Sequence, residues 1–375
     1  MSSTIRLGTH ASQLERWLGE EEVARVSDAM KGWYGPPIAL GGVPGKVFAY
    51  GGGDFRGRIE TGVEATAKGV FRTMARKARR AVHRLGRGDV VGAGFASMDE
   101  IIAAVTSGSN RFLKWQKGGF TGVAAVTTSL WGGAGDPPAG ANASNAPGGD
   151  APTDATTGAI PFVNPGGGDT LHILKVDCLA TLGATALIYD RLFQVNKTMN
   201  STATEAVTGV PSRYTSTTST DMDYAGGNFL FVEVGGTALA ATAHNWTVCQ
   251  YTDQDGNATQ TMPSLTGNSG AIVRRLDHPT GQWYAPLAAG DTGLTALTQM
   301  QCSAAVATGV VNFVIGHPLI WCPCPIANLV CTVDGVNTAI SLVRIFDDAC
   351  LALLDVNKTN TTLTNFMVNV HAAHS

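Results

Sequence analysis

Alternation of apolar and polar positions dominates the chain from about residue 160 onward. In LHILKVDC, Leu171, Ile173, Lys175 and Asp177 fall on one alternation, and His172, Leu174, Val176 and Cys178 on the other. After a break at Gly183, a second apolar run, Ala186-Leu187-Ile188-Tyr189, ends at Asp190-Arg191. Two short apolar runs bounded by turn residues predict neighbouring strands. The same style continues at 228–234 and 246–252, then at 271–275, 282–284, 294–302, 310–315, 329–333, 341–345 and 365–370. Asp255-Gly256 after the 246–252 run is a hairpin signal. Pro165, Pro211, Pro279, Pro286, Pro318, Pro323 and Pro325 are expected between strands or at their edges, because proline cannot donate to a ladder. Many short strands with frequent turns predict an antiparallel β-sandwich or jelly roll over 160–375.

The chain before residue 160 has a different texture. Ser12 with Glu15 starts a helical pattern, and Leu14, Trp17, Leu18, Val23 and Val26 carry it towards Met30. A strand is expected at 46–50. Over 61–85, Val63, Ala67, Val70, Met74, Ala78, Val82 and Leu85 recur at spacings of three and four, which predicts an amphipathic helix. Arg72, Arg76, Lys77, Arg79, Arg80 and Arg84 fill its other face. Ser97 and Glu100 form a capping box for a short helix ending near Ser107-Gly108, and 111–115 alternates as a strand. Residues 132–158 contain no Lys, Arg or aromatic residue, so they cannot build a core of their own. They are expected to be a tether or an extended arm for a groove on another subunit. The organisation is therefore a mixed α/β N-terminal anchor region (1–94), a short helix plus Gly/Pro/Ala-rich arm (95–159) and a β-sandwich domain (160–375). The fold class is mainly β.

Charge sharpens this division. Only 15% of the 375 residues are charged, well below the roughly 25% usual for soluble domains. Neutral β faces of this kind suit coverage by neighbouring subunits. Residues 56–88 hold ten Lys/Arg and two Glu, or +8, so the remainder carries −11 of the net −3. The basic helix face is either a solvated surface or a surface for an acidic protein partner. Nucleic acid is disfavoured, because no aromatics are interleaved for base stacking. A start without an apolar segment, and the lack of any long apolar run, predict synthesis in a cytoplasm without membrane insertion. Seven cysteines in no dense framework are expected to be buried thiols.

Candidate chemistry is sparse. His317, Cys322, Cys324 and Cys331 have ligand-type side chains, but Cys-Pro-Cys is a poor zinc knuckle, and no metal is expected. Asp253-Gln254-Asp255-Gly256-Asn257 resembles half a calcium loop without its distal Glu, and a hairpin tip is expected instead. Asp190 with Asp347-Asp348 could form a paired-acid site only if the carboxyls face each other. Trp246, Trp283 or Tyr284, if exposed, could form a sugar platform. No G-x-S-x-G, H-E-x-x-H or Walker motif occurs, and neither catalytic residues nor a cofactor is expected.

The stretches FASMDEIIAAVTSGSNRFLKWQK, TTGAIPFVNPGGGDTLHILK, ALIYDRLF, GVPSRYTS, PLAAGDTGLTALTQMQCSA and IFDDACLALL cover most of residues 95–355. In order and spacing they resemble a family of tailed-bacteriophage virion structural proteins. The resemblance implies a β-rich, non-enzymatic particle component, with no catalytic residues to carry over. The expected function is that of a capsid auxiliary (decoration or cement) protein of the virion, assembled in the host cytoplasm. Its expected partners are the major capsid protein or other virion proteins and copies of itself, as a homo-oligomer, with a trimer expected. The alternatives are a tail, collar or fibre-base component, or a host-glycan-binding adhesin module.

Overall fold

The computed structural model describes Gly94, Phe95 and residues 97–375, apart from 122, 167–168, 337–341 and 357–362. The chain divides into two compact units, Met1–Asp89 and Val90–Ser375, and the described residues belong to the second. The helices expected over 12–30 and 61–85, the strand at 46–50, and Arg72, Arg76, Lys77, Arg79, Arg80 and Arg84 lie outside the described residues.

Helix α1 (Met98–Ser107) forms where the capping box places it. Ser97 is extended, its Oγ accepts the Glu100 N–H at 3.2 Å, and Gly108 at φ 91° closes the last turn. The rest is mainly β, and every strand pairing is antiparallel. The first sheet contains β1 (Asn110–Thr121), β3 (Gly135–Asp136), β4 (Leu171–Ala180), β13 (Cys331–Asp334), β14 (Val343–Ile345) and β16 (Leu363–His374). Its order is β13-β4-β16-β1-β3, with β14 also on β4. The second contains β6 (Glu205–Ala206), β8 (Asn245–Asp253), β9 (Gln260–Thr261), β10 (Leu265–Thr266) and β11 (Leu294–Cys302). Its order is β10-β8-β11-β6, with β9 also on β8. Between them runs a central sheet of β2 (Thr128–Ser129), β15 (Leu351–Val356), β5 (Ala184–Thr198), β12 (Val310–Cys324) and β7 (Phe229–Val234), in that order. This sandwich of antiparallel sheets agrees with the jelly-roll-like expectation.

The two long strands of the central sheet serve both outer sheets through a pair of bulges. Ala184, Ala186 and Ile188 of β5 pack with the first sheet, as do Ile320, Cys322 and Cys324 of β12. Phe193 and Val195 of β5 pack with the second sheet, as do Val311, Phe313 and Ile315 of β12. Inward positions thus change parity along both strands. The register slips by one residue at Leu192 on β5 and by one at Leu319 on β12. Each slip inserts an extra residue, so the changed parity still points to the same face. Leu319 packs against both cores. The opposite face, with Leu187, Tyr189, Phe231, Val314 and Leu354, forms a third core closed by Trp131, Ala159 and Leu276.

Several expectations change in physical detail. The runs at 171–178 and 186–189 are not hydrogen-bonded neighbours. β4 pairs with β13, β14 and β16, β5 pairs with β12 and β15, and the two strands face each other across a core. Pro318 and Pro323 lie within β12, not between strands. β7 accompanies β12 only as far as Gly316, so beyond it one edge of β12 has no strand partner and a missing N–H costs little. No strand forms at 271–275, where Arg274 adopts φ 77°, or at 282–284. β15 went unanticipated because LALLDV is buried on both faces and has no alternation to read.

Residues 132–158 do not hang free. Beyond Asp190, β5 has lost β15 as a partner. There Asp150 exchanges backbone hydrogen bonds with Gln194 (2.8 and 2.9 Å), and the Asn196 N–H donates to the Ser144 carbonyl at 2.8 Å. The segment therefore lies along its own chain's central sheet. β1 also joins the same sheet as β4 and β16, so packing does not separate residues 95–159 from 160–375.

Candidate functional site

Asp190 and Arg191 are adjacent on β5, and alternation sends their side chains to opposite faces of the central sheet. Asp190 takes a two-pronged contact from Arg213, at 2.8 Å to each oxygen, and accepts the Cys350 N–H at 2.8 Å. Burial pushes the Asp190 carboxyl up, against the pull of Arg213. On the other face, Arg191 binds Glu233 at 2.5 and 3.3 Å, the Gln194 side chain at 2.8 Å and the Tyr189 hydroxyl at 3.2 Å. Its guanidinium also lies 4.6 Å from the Trp131 ring centre. Burial works against the Arg191 charge, but the Glu233 carboxylate outweighs it and holds the guanidinium above its ordinary value. Asn312 extends the network by donating to Glu233 at 3.1 Å. These charges are sealed and matched, which suits orientation of the three cores and not chemistry on a substrate.

The paired-acid arrangement does not form. Asp190 is buried in its ion pair, whereas Asp347 and Asp348 are exposed. Asp348 instead accepts from the Asn164 amide at 2.7 Å and donates its N–H back at 3.1 Å. The Asp253 loop is a hairpin tip. One Asp253 oxygen accepts the N–H groups of Asp255 and Asn257, the other accepts the Asn257 amide, and Gly256 turns at φ 84°. His317 lies apart from the cysteines. It stacks on Tyr214 at 3.6 Å between ring centres and meets Asn228 at 2.9 Å, and burial lowers its pKa to about 4. Cys322, Cys324 and Cys331 do come together, with Cys178 of β4. Among the described residues, no group of three or more His, Cys, Asp or Glu side chains is arranged to hold a metal ion.

Of the aromatic candidates, Trp246 is buried and its indole N–H donates to Asp277 at 2.9 Å, so it offers no platform. Trp283 is half-buried and Tyr284 is exposed. They line a cleft of about 740 Å³ with Phe229, Gln282, Asp291 and Thr292. Trp321, also exposed, meets Trp283 edge-on at 5.1 Å. The sequence reading passed over Trp321 because the surrounding prolines hid the strand. The signal was there in its alternation with Ile320 and Cys322, which point into the core.

Large apolar side chains also stand outside. Met98, Ile102 and Val105 make an exposed stripe on α1. Phe112 and Met367 project from the outer face of the first sheet, and Ile326, Leu329 and Val330 from the connection between β12 and β13. Among the described residues, no helix is long and apolar enough to cross a membrane.

No family model matches the chain, and no curated protein matches it. Among solved structures, one of the infectious bursal disease virus Gt strain aligns over 71% of this chain and 80% of its own, at 8% identity and a TM-score of 0.14. The VP2 subviral particle of infectious bursal disease virus aligns over 70% and 80%, at 10% identity and a TM-score of 0.14. At that TM-score, neither likeness carries an argument about fold or function.

Proposed function

We propose that the chain is a non-enzymatic structural component of a tailed-phage virion, a capsid auxiliary protein that packs with copies of itself on the shell. One contrast carries this reading: charge is sealed inside while large apolar side chains stand outside. Inside, Arg191 is matched by Glu233, Asp190 by Arg213 and His244 by Asp277. The buried Lys117 ammonium donates to the carbonyls of Gly133, Pro137 and Pro138 at 2.6–3.1 Å. Outside, the α1 stripe, Phe112, Met367 and the 325–330 connection expose apolar surface, and covering such surface is worth about 25 cal/mol per Å². Sequence resemblance to phage structural proteins supplies the setting. The major capsid protein is the expected shell partner, and the basic face over 61–85 is the expected anchor. Sedimentation of the full-length chain at micromolar concentration should show an oligomer, with a trimer expected. A clean monomer would contradict self-packing.

The cleft beside Trp283 and Tyr284 favours a second reading, a host-glycan-binding adhesin module. Aromatic faces there adjoin the polar groups of Gln282 and Asp291, a pairing that suits sugar rings and hydroxyls. Binding of host surface polysaccharide that Tyr284→Ala abolishes would favour it over the capsid role.

A further inference from the structure

The cleft beside Trp283 and Tyr284 carries a charge that nothing on its walls answers. No lysine, arginine or histidine lines it, and its one charged side chain is Asp291. The turn bearing Asp291 is firmly held. The Tyr251 hydroxyl donates to one Asp291 oxygen at 2.5 Å and accepts the Ala288 N–H at 2.7 Å, and the Asp291 N–H closes back on the Ala288 carbonyl at 3.1 Å. Tyr251 itself is fully buried on β8. Among the described residues, Tyr251 is the one hydrogen-bond partner of the carboxylate, so its second oxygen remains available. The hairpin tip of β8 adds to the same sign. The Gln254 side-chain oxygen accepts the N–H groups of Thr292 and Gly293 at 3.0 and 3.2 Å, and its amide donates to Asp255 at 2.8 Å. A second carboxylate thus lies one side chain away from the Asp291 turn.

The aromatic part of the lining is fixed as well. Backbone N–H groups of Gly281, Gln282 and Ala285 donate to the carbonyls of Ala125, Pro279 and Leu230 at 2.7–3.1 Å. Trp283 meets Phe229 at 4.9 Å and Tyr284 at 4.7 Å between ring centres, and Tyr284 is 44% exposed. The Gln282 amide lines the cleft beside them. Rigid rings next to available polar groups suit a pyranose, whose C–H face covers an aromatic ring while its hydroxyls reach hydrogen-bonding partners. Charge then divides the sugars. A neutral sugar can donate a hydroxyl to Asp291, whereas an acidic sugar brings a like charge into a partly enclosed site that screens it poorly.

We propose that the cleft binds the uncharged pyranose of a neutral glycan, and that Asp291 is the residue that turns acidic sugars away. This rests on the cleft being a glycan site. Tyr284 supplies the exposed ring, Gln282 the amide, and Asp291 both an acceptor for a sugar hydroxyl and the selection by charge.

The test applies the purified full-length chain to an oligosaccharide array at low ionic strength, where charge effects are least screened. The array holds matched pairs in which a neutral hexose is replaced by a hexuronate, together with sialylated glycans. Binding is expected for neutral glycans, is lost in Tyr284→Ala, and is weaker for the acidic partner of each pair by about fivefold or more. Asp291→Asn keeps an oxygen for the Tyr251 hydroxyl and removes the charge, so it should retain the neutral ligand and close most of that gap. Acidic glycans bound as well as or better than neutral ones by the native chain, with Tyr284→Ala abolishing both, would overturn the charge selection and leave the glycan site standing. An unchanged gap in Asp291→Asn would overturn the role of Asp291. Binding to no glycan, or binding indifferent to Tyr284→Ala, would overturn the glycan site and this proposal together. The native-chain comparison decides the charge selection even where a variant fails to fold.

Discussion

Glu233 illustrates how much individual residues matter in the interior. It is the carboxylate facing Arg191 on the third-core side of the central sheet. Glu233→Gln would leave a buried guanidinium without its counter-charge, at a cost of about 3–5 kcal/mol. A large fall in the denaturation midpoint is expected. Replacing both partners, with Arg191→Met and Glu233→Leu, should recover most of it, since an apolar pair avoids the desolvation cost. The buried histidines set the acid limit. Burial holds His172, His278 and His317 near pKa 4, against about 6.5 when unfolded. His278 even accepts the Val232 N–H at 2.9 Å, a role open only to an unprotonated nitrogen. Between pH 6.5 and 4 the unfolded chain binds more protons, so stability must fall as pH falls through that window, by at most about 3 kcal/mol per histidine. His244 runs the other way. Asp277 holds its pKa up despite burial, so its contribution is present at low pH and is lost as pH rises through the raised value. Denaturation midpoints measured from pH 8 to 4 should show the acid loss, and a flat profile below 6.5 would contradict it.

At the scale of elements, alternation was legible where one face of a strand is buried. β11 falls at 294–302 as read, and β7 and β8 lie within a residue of their expected ends. Legibility failed where that premise fails. β15 is buried on both faces, and β12 carries prolines along an edge that composition does not reveal. The shift between the two alternations in LHILKVDC was visible as an ambiguity. It corresponds to a register slip at Leu174, after which Val176, Cys178 and Ala180 take over the inward positions. The 132–158 segment was read correctly as unable to build a core, but composition could not show that an open stretch of β5 awaited it. Gly209 tests that docking. A Cβ at this position would run into the Gly148 carbonyl oxygen, which is backbone and cannot swing away. Gly209→Ala should therefore lift the 144–150 stretch, seen as new proteinase K cleavage there while the sheets stay folded. Cleavage no faster than in the native chain would argue against tight docking.

For the whole molecule, the antiparallel β class was legible from the spacing of turns and strands, but the three-core arrangement was not. It depends on which strands share a sheet, and on two single-residue bulges that reset parity on β5 and β12. Of the candidate sites, the hairpin tip was legible because Asp-Gly chemistry is local. The thiol cluster and the Trp321 edge were only half legible, because their members meet through long-range pairing. The contrast between +8 over 56–88 and −11 for the remainder was legible in the sequence, and the acidic partner proposed for the basic face expected over 61–85 concerns positions outside the described residues. The central claim is that this body sits in many copies on a phage head shell. Labelling the chain with a specific antibody and imaging intact particles by electron cryomicroscopy tests it most directly. The account predicts label distributed regularly over the head, whereas label confined to the tail or collar, or no label on the particle, would contradict it.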